Sequence, residues 1–235
     1  MSAEPYYRDP EAGIVLYCGD CAELIPGLRA DICVTDPPYN AGKAYGPKTN
    51  DRKAWAEWVG WFDERLAMML ASSRDGVLSF LSQTARRHYS RMGDHDIAWE
   101  AIWSKPLSMA VCAAPFMPHW EPIVYWGAKR RRKGDGAGWG SDVFVCNVEF
   151  GRWRRNHATP KPLDLMRQIV RRFPPDTTIL DPFAGSGTLL LAAKLEGRKA
   201  IGIEIEEGHC ATIASILDHG LSGARARHEG KATLL

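Results

Sequence analysis

The chain has 235 residues, of which 45% are hydrophobic and 25% are charged, and its formal net charge at pH 7 is only +2. This length and composition suffice for one globular core, so we expect a single domain over residues 1–235. The small net charge predicts no partner by itself, which leaves local charge clusters as the informative feature. No apolar run approaches the roughly 20 residues that a membrane-spanning helix needs, so no membrane association is expected.

The six cysteines do not form the pattern of a metal site. Only Cys18 and Cys21 are closely spaced, and no second pair of cysteines or histidines completes a set of four zinc ligands. Scattered cysteines without a signal peptide are typical of a reducing, intracellular setting. The sequence therefore predicts a cytoplasmic protein without a metal.

Strand-like and helix-like segments alternate along the chain after a polar opening, residues 1–13, which we interpret as a loose arm. The predicted strands are residues 14–17, 31–35, 76–82, 98–104, 122–127, 177–180 and 200–203, with a shorter strand-like run at 143–145. The predicted helices are a short one that ends at residue 28, followed by 54–72, 163–173, 187–196 and 208–218. This alternation predicts an α/β fold, with a mostly parallel sheet and helices on both faces.

Two segments between the first strands and the rest of the sheet differ sharply in composition. Residues 40–52 are rich in Gly, Lys, Pro and Asn, which predicts a loop. In the helix at 54–72, large apolar side chains recur at helical spacing, and we interpret them as core residues: Trp55, Trp58, Trp61, Phe62, Leu66 and Met69.

A glycine-containing loop joins the strand at 177–180 to the next helix. It consists of Asp181, Pro182, Phe183, Ala184, Gly185, Ser186, Gly187 and Thr188. Such a turn brings backbone N–H groups and a helix N-terminus close to a ligand. Glu204 ends the following strand, 19 positions after Gly185, where a carboxylate can accept hydrogen bonds from ribose hydroxyls. The pair predicts a cofactor site, whereas the alternative is a turn with a structural role only.

The phosphate-binding versions of this loop do not fit. The third glycine of the dinucleotide motif is replaced by Leu190, and no Lys-Ser or Lys-Thr pair follows the loop. These departures disfavour a nucleotide-dependent dehydrogenase. A close turn and a ribose acceptor without phosphate contacts suit a nucleoside that carries no phosphate, and S-adenosylmethionine is such a ligand.

The segment Asp36-Pro37-Pro38-Tyr39 follows a predicted strand, at the sheet edge where open α/β folds place their chemistry. An exocyclic base amine is a poor nucleophile because its lone pair is delocalised into the ring. Asp36 could accept one amine hydrogen and the Pro37 carbonyl the other, which would draw the nitrogen toward tetrahedral geometry. Tyr39 offers a ring on which an extruded base can stack. The alternative is a proline-stiffened loop with a turn-forming aspartate.

Together these motifs resemble those of the DNA amino-methyltransferases. Residues 36–39 are similar to the family's catalytic motif, and residues 181–188 to its cofactor motif. Residues 157–162, which include Lys161, resemble a segment that in the family helps to hold the methionine portion of the cofactor. Asp20 lies in an acidic turn similar to one that faces the adenine end of the cofactor. The catalytic motif comes first, as in the beta group of these enzymes.

The resemblance covers most of residues 14–218 and implies a fold and a mechanism. The implied fold is the Rossmann-like class I methyltransferase fold, circularly permuted, with a mostly parallel sheet of about seven strands and one reversed strand. The implied reaction is direct methyl transfer from S-adenosylmethionine to the amine of a flipped base, without a covalent enzyme intermediate. Asp36 would then orient and polarise the amine rather than fully deprotonate it.

Asp36 at the first motif position resembles adenine-specific members, since cytosine-specific members frequently carry Ser there. We therefore predict methylation of the N6 amine of adenine in double-stranded DNA, with the N4 amine of cytosine as the alternative. A catalytically silent DNA-binding protein with the same fold is an alternative of another class. The compact chain predicts a solitary bacterial or phage enzyme, monomeric or homodimeric, of the kind found in restriction-modification.

Two basic clusters with nearby tryptophans are predicted to contact DNA. They lie near the two ends of a short segment, residues 129–156, that we interpret as an insertion for target recognition. The predicted contact residues are Arg130, Arg131, Arg132, Trp139, Arg152, Trp153, Arg154 and Arg155, joined by Lys43 and Tyr45 from the loop after the catalytic motif. The shortness of this segment predicts either a short or relaxed target sequence or target recognition that is shared with a second subunit.

Overall fold

A computed structural model describes residues 4–43, 51–108, 117–127, 140–148 and 160–223. Within those ranges the strands are β1 (Tyr7–Asp9), β2 (Ile14–Cys18), β3 (Ile32–Thr35), β4 (Val77–Phe80), β5 (Trp99–Ser104), β6 (Trp120–Trp126), β7 (Val143–Val145), β8 (Thr178–Asp181) and β9 (Lys199–Glu204). The helices are α1 (Cys21–Leu24), α2 (Trp55–Ser72), α3 (Gln83–Met92), α4 (Leu163–Val170), α5 (Thr188–Leu195) and α6 (Glu207–Gly223). A short 3-10 turn, Ile25–Gly27, follows α1.

These strands form one sheet in the order β1-β2-β9-β8-β3-β4-β6-β5-β7. From β2 to β4 all neighbours are parallel, and β6 runs antiparallel to both β4 and β5. The block from β2 to β5 is therefore the expected mostly parallel sheet with one reversed strand. It gains one short strand at each edge, so the described sheet has nine strands instead of seven.

Of the two strands at the edges of the sheet, one was predicted from the sequence and the other was not. The run at 143–145 was predicted as strand-like and forms β7, parallel to β5. The opening segment was predicted as a loose arm, which is wrong for residues 7–9, because β1 pairs antiparallel with β2. Side-chain contacts that connect distant parts of the sequence hold it there. The Tyr7 hydroxyl donates to Asp218 at 2.8 Å, and Lys194 lies 2.7 Å from Asp9.

The helix α3 was missed in the sequence because its composition is strongly polar. Its signals are local: Ser82 caps the N-terminus by accepting a hydrogen bond from the Ala85 backbone at 3.0 Å. Ala85 and Tyr89, one helical turn apart, are its buried residues. Two apolar positions one turn apart are too few to stand out as a periodic pattern.

Helices cover both faces of the sheet, as predicted. One core contains apolar side chains of α4, α5 and α6 against one face, and the other contains those of α2 and α3 against the opposite face. Of the predicted aromatic stripe on α2, Trp58, Phe62, Leu66 and Met69 are buried. Trp55 stacks on His88 at a centroid distance of 4.2 Å, whereas Trp61 is only partly buried and faces a pocket.

The neighbouring strands β3 and β8 mark the point where the sheet reverses its winding. The helix after β3, α2, packs on one face, and the helix after β8, α5, packs on the other. A crevice opens outside the carboxyl ends of strands at such a switch point, and ligands bind there. No helix in the described ranges is long and apolar enough to cross a membrane, and no group of three metal-ligating side chains occurs there.

Candidate active site

The catalytic loop predicted at residues 36–39 begins where β3 ends. All four residues of β3 are buried, and the two prolines that follow Asp36 cannot continue a central strand. The loop is attached to the core, since the indole Nε1 of Trp58 donates a hydrogen bond to the Pro38 carbonyl at 2.9 Å. The helix α2 therefore sets the position of the loop and not only the packing of the core.

The Asp36 carboxylate is hydrogen-bonded through both of its oxygens. The Tyr39 hydroxyl donates to Oδ1, and the Lys161 ammonium lies 2.5 Å from Oδ2. Lys161 also donates to the Tyr39 hydroxyl at 3.0 Å, so the three side chains form a closed triangle. Burial raises the pKa of Asp36, while Lys161 and Tyr39 oppose that increase and Glu121 adds to it.

The glycine loop connects β8 to α5 through a tight, left-handed turn. Gly187 caps α5 with φ of 74°, and a β-carbon there would lie 2.9 Å from two carbons of Ile213. Only glycine meets both conditions without strain. The Ala184 N–H donates to the Ile203 carbonyl at 2.9 Å, which ties the loop to β9. The loop is therefore rigid and follows the sheet edge closely.

Glu204 ends β9 beside this loop, where the sequence placed it. One oxygen accepts the Gly185 N–H at 2.8 Å and the other accepts the Glu206 N–H at 2.9 Å. Each carboxylate oxygen has a second lone pair, so Glu204 keeps the capacity to accept ligand hydroxyls. The pKa of His209, which lines the same cavity, is raised by the nearby Glu204 carboxylate.

Asp181, the first residue of the glycine loop, is buried beneath the crevice between β3 and β8. Its Oδ1 accepts hydrogen bonds from the Thr35 hydroxyl at 2.8 Å and from the Phe183 N–H at 3.2 Å. Burial, supported by the negative charges of Asp36 and Glu204, raises the pKa of Asp181 to about 7. The side chain thus links the catalytic loop, through Thr35, to the cofactor loop.

One pocket joins all of these groups. It extends from the Asp36 carboxylate, past the glycine loop, to Glu204 and Asp20. Its lining also includes an aromatic pair, in which the rings of Trp61 and Phe183 lie 5.8 Å apart and are tilted against each other. A flat aromatic ligand can pack against the exposed part of such a pair. An acid for a ribose, a glycine loop that a ligand can approach closely and an aromatic surface together suit a nucleoside.

Comparison with known proteins agrees with this geometry. The model of the N6/N4 DNA methylase family matches residues 82–215, more than half of the chain. The type II methyltransferase M2.LlaDCHI of Lactococcus lactis subsp. cremoris is 37% identical over 259 residues, which cover 94% of each protein. The chain belongs to the N6/N4 DNA methylase family. The matched range contains the glycine loop and Glu204, whereas Asp36 precedes it.

More distant relatives and solved structures agree with this assignment. The DNA adenine methyltransferase YhdJ of Escherichia coli (strain K12) is 27% identical, over 86% of this chain and 81% of that protein. The chain matches only 55% of the type II methyltransferase M.BamHI of Bacillus amyloliquefaciens, at 25% identity. The M1.HpyAVI-SAM complex superposes with a TM-score of 0.61 at 22% identity, over 87% of this chain and 99% of that one. The cytosine-N4-specific PvuII DNA methyltransferase also superposes with a TM-score of 0.61. Its sequence identity is 18%, and the match covers 90% of this chain and 93% of that one. The structural likenesses establish the class I methyltransferase fold.

The methylase fold brings most of the predicted site residues together. Those that line the pocket are Asp20, Asp36, Pro38, Lys161, Asp181, Pro182, Phe183, Ala184, Gly185, Ser186, Thr188 and Glu204. Pro37 is buried and Gly187 caps α5. Tyr39 contacts Asp36 and Lys161. Asp20 caps α1 by accepting the Ala22 N–H at 2.9 Å, a structural role in addition to the predicted one.

Several pocket residues of the methylase were not predicted from sequence. They are Cys21, Lys53, Trp58, Trp61, Arg65, Met166, Leu189, Ile203, Ile205 and His209. Trp61 was interpreted as a core residue, and its spacing alone could not separate the two roles because it lies at the margin of the buried stripe. Glu121, which faces Lys161, carries no local motif at all.

Most of the predicted DNA contacts lie outside the described residues. This applies to Tyr45, Arg130, Arg131, Arg132, Trp139, Arg152, Trp153, Arg154 and Arg155. Lys43 is described and exposed, and its backbone N–H donates to the buried Asp51 carboxylate at 2.8 Å. The same carboxylate accepts the backbone N–H groups of Asn40 and Ala41 at 2.6 and 3.0 Å. Asp51 thus anchors the start of the loop that leaves the catalytic motif.

Proposed function

We propose that this methylase transfers a methyl group from S-adenosylmethionine to the N6 amine of adenine in double-stranded DNA, after the base is flipped out of the helix. The observation that carries this proposal is that Asp36 and Glu204 line one pocket together with the glycine loop. One end suits a reacting amine and the other suits the ribose of a cofactor.

The cofactor end fits S-adenosylmethionine by the chemistry of its residues. Glu204 would accept hydrogen bonds from the ribose hydroxyls, and the backbone of the glycine loop would allow the ligand to approach closely. The adenine ring would pack against the aromatic pair of Trp61 and Phe183, in the pocket that Asp20 also lines. When bound, the cofactor supplies an electrophilic methyl group.

At the catalytic end, Asp36 accepts one hydrogen of the base amine, and a backbone carbonyl accepts the other. The Pro38 carbonyl already accepts the Trp58 indole, which favours the Pro37 carbonyl for this task. As the nitrogen gains a bond to methyl and becomes acidic, the amine proton moves toward Asp36. Burial makes the Asp36 carboxylate a stronger proton acceptor than an exposed one, because burial raises its pKa. Fixed alignment of the reactants contributes much of the rate.

The choice of adenine rests on Asp36 and on a named relative. Asp at this motif position resembles adenine-specific members, and the relative YhdJ is a DNA adenine methyltransferase. A cytosine-N4-specific enzyme has the same fold, so cytosine is the competing base. The two bases differ in the shape of the flipped ring and share the chemistry of the amine.

Incubation with labelled S-adenosylmethionine and unmethylated duplex DNA, followed by nucleoside mass analysis, tests the proposal. We expect N6-methyladenine, because Asp36 at the first motif position resembles adenine-specific members of the family. N4-methylcytosine would retain the mechanism and overturn the base assignment. Binding of cofactor and DNA without any methyl transfer would favour the silent DNA-binding alternative. Mapping of the methylated sites would then test whether the target is short or relaxed.

Glu204→Gln is expected to weaken S-adenosylmethionine binding by about 10- to 100-fold, because a hydrogen bond to a charged group contributes about 1.5–3 kcal/mol. The carboxylate now accepts hydrogen bonds from the backbone N–H groups of Gly185 and Glu206, and the amide nitrogen of glutamine cannot accept the one that it would face. Calorimetric titration of the cofactor measures the change. The exposed Glu207, in the first turn of α6, provides the control Glu207→Gln, which should bind as the unmodified protein does. A change below twofold for Glu204→Gln would contradict this role.

A further inference from the structure

A chain of four alternating charges extends from the catalytic carboxylate into the sheet. Asp36 pairs with Lys161, Lys161 lies 3.8 Å from Glu121 Oε2, and Glu121 Oε1 pairs with Lys105 at 2.7 Å. Both ammonium-bearing side chains are 93% buried, with relative exposures of 7%. Burial of unpaired charges is expensive, so such a chain persists only when its members compensate one another.

The surroundings of Lys161 hold its ammonium group in one place. It lies 5.0 Å from the ring centre of Phe80 and 5.1 Å from that of Tyr39, distances at which a cation is attracted to an aromatic face. Two N–H donors point to Asp36 and Tyr39, and the Glu121 carboxylate is the neighbouring negative charge. Within the part of the chain that the structure describes, Glu121 Oε2 is buried and accepts no hydrogen bond, and the Lys161 ammonium 3.8 Å away is the positive charge that compensates its burial there.

We propose that Lys161, held in place by Glu121, is a positioning residue that keeps the Asp36 carboxylate ionised and turned toward the substrate amine. This inference rests on the proposed function, in which Asp36 must accept an amine hydrogen. It differs from the expectation that Lys161 holds the methionine portion of the cofactor, since its donors are directed to the catalytic loop.

Burial and all the charges that face Asp36 act on its ionisation. Burial disfavours the ionised form most, and Glu121 from β6 and Asp181 from β8 also disfavour it, whereas Lys161 and the Tyr39 hydroxyl favour it. Lys53 lines the same pocket. Removal of the Lys161 cation therefore raises the pKa of Asp36 further. Removal of the Glu121 charge lowers it.

The first test is the pH dependence of kcat at saturating cofactor and DNA. The active form carries ionised Asp36, so the acidic limb of the profile follows its pKa. Lys161→Met is expected to reduce kcat about 10- to 100-fold near neutral pH and to regain activity as the pH rises. The acidic limb of the kcat profile is expected to move to higher pH in Lys161→Met and to lower pH in Glu121→Gln. Lys161→Arg should keep the limb in place, as should the exposed control Lys199→Met.

A second test does not depend on activity. The titration of Asp36 is followed by carbon-13 NMR of its carboxyl group in the unmodified protein and in Lys161→Met, with Asp36→Asn to assign the signal. We expect a higher midpoint in Lys161→Met, and an unchanged midpoint would overturn the inference. An unmoved kcat profile together with a more than tenfold loss of cofactor affinity would assign Lys161 to the cofactor instead. If Lys161→Met shows the higher midpoint but the unmodified protein transfers no methyl group to DNA, the proposed function alone is refuted.

Discussion

Asp36→Asn is expected to reduce methyl transfer about 10³-fold while S-adenosylmethionine binds almost unchanged. The amide keeps the shape of the carboxylate but loses its charge, so it no longer draws the amine proton as the nitrogen becomes positive. It also leaves the buried Lys161 ammonium without its closest counter-charge, 2.5 Å away. Cofactor affinity is preserved because the Glu204 end of the pocket is untouched.

Single-turnover transfer of labelled methyl groups measures the loss, and calorimetric titration measures the affinity. Asp164→Asn provides the matched control, since Asp164 is exposed in the first turn of α4. That variant should transfer methyl groups at the rate of the unmodified protein. A loss of less than tenfold in Asp36→Asn would show that the carboxylate charge is not essential, and the catalytic role of Asp36 would have to be abandoned.

Trp58→Ala is expected to lower the free energy of unfolding by about 3–5 kcal/mol, the range for truncation of a large buried aromatic side chain. Trp58 is 1% exposed and stacks on Phe62 at a centroid distance of 5.4 Å. Its indole also donates to the Pro38 carbonyl, so truncation removes an anchor of the catalytic loop together with core volume. Denaturant unfolding measures the stability change.

Two further variants separate these contributions. Trp58→Phe retains a large aromatic side chain and removes the hydrogen bond to the catalytic loop, so it should lose less stability than Trp58→Ala and still lose methyl-transfer activity. Trp99→Ala removes an indole that is 60% exposed and should change the stability by no more than about 0.5 kcal/mol. Equal destabilisation by Trp58→Ala and Trp99→Ala would contradict the core assignment of Trp58.

The same helix thus has two roles that its periodicity could not separate. Spacing predicted which face of α2 is apolar, and four of the predicted positions are buried. It could not show that Trp61, at the margin of that face, lines the pocket beside Phe183, or that Trp58 reaches the catalytic loop. Both facts depend on which strand ends face the helix, and the order of the strands in the sheet decides that.

The local sequence determined the features that depend on neighbouring residues. Strand and helix alternation predicted the parallel sheet. The two prolines that follow Asp36 prevented β3 from continuing beyond Thr35, and glycine allowed the left-handed turn at Gly187. The missed elements, β1 and α3, are those whose stability comes from distant partners such as Asp218 and Asp63. Propensity and pattern act over a few residues, so they describe elements of this kind poorly.

The tertiary structure alone decided how the charges of the site are arranged. Asp36 and Lys161 are 125 positions apart, and Glu121 comes from a third segment in the reversed strand β6. The motifs named Asp36 and Lys161 as members of a catalytic and a cofactor segment. Only the packing of β3, β6 and the start of α4 around one crevice brought the Lys161 ammonium into an ion pair with the Asp36 carboxylate. Electrostatic interaction depends on distance in space and on burial, and the order of residues along the chain specifies neither.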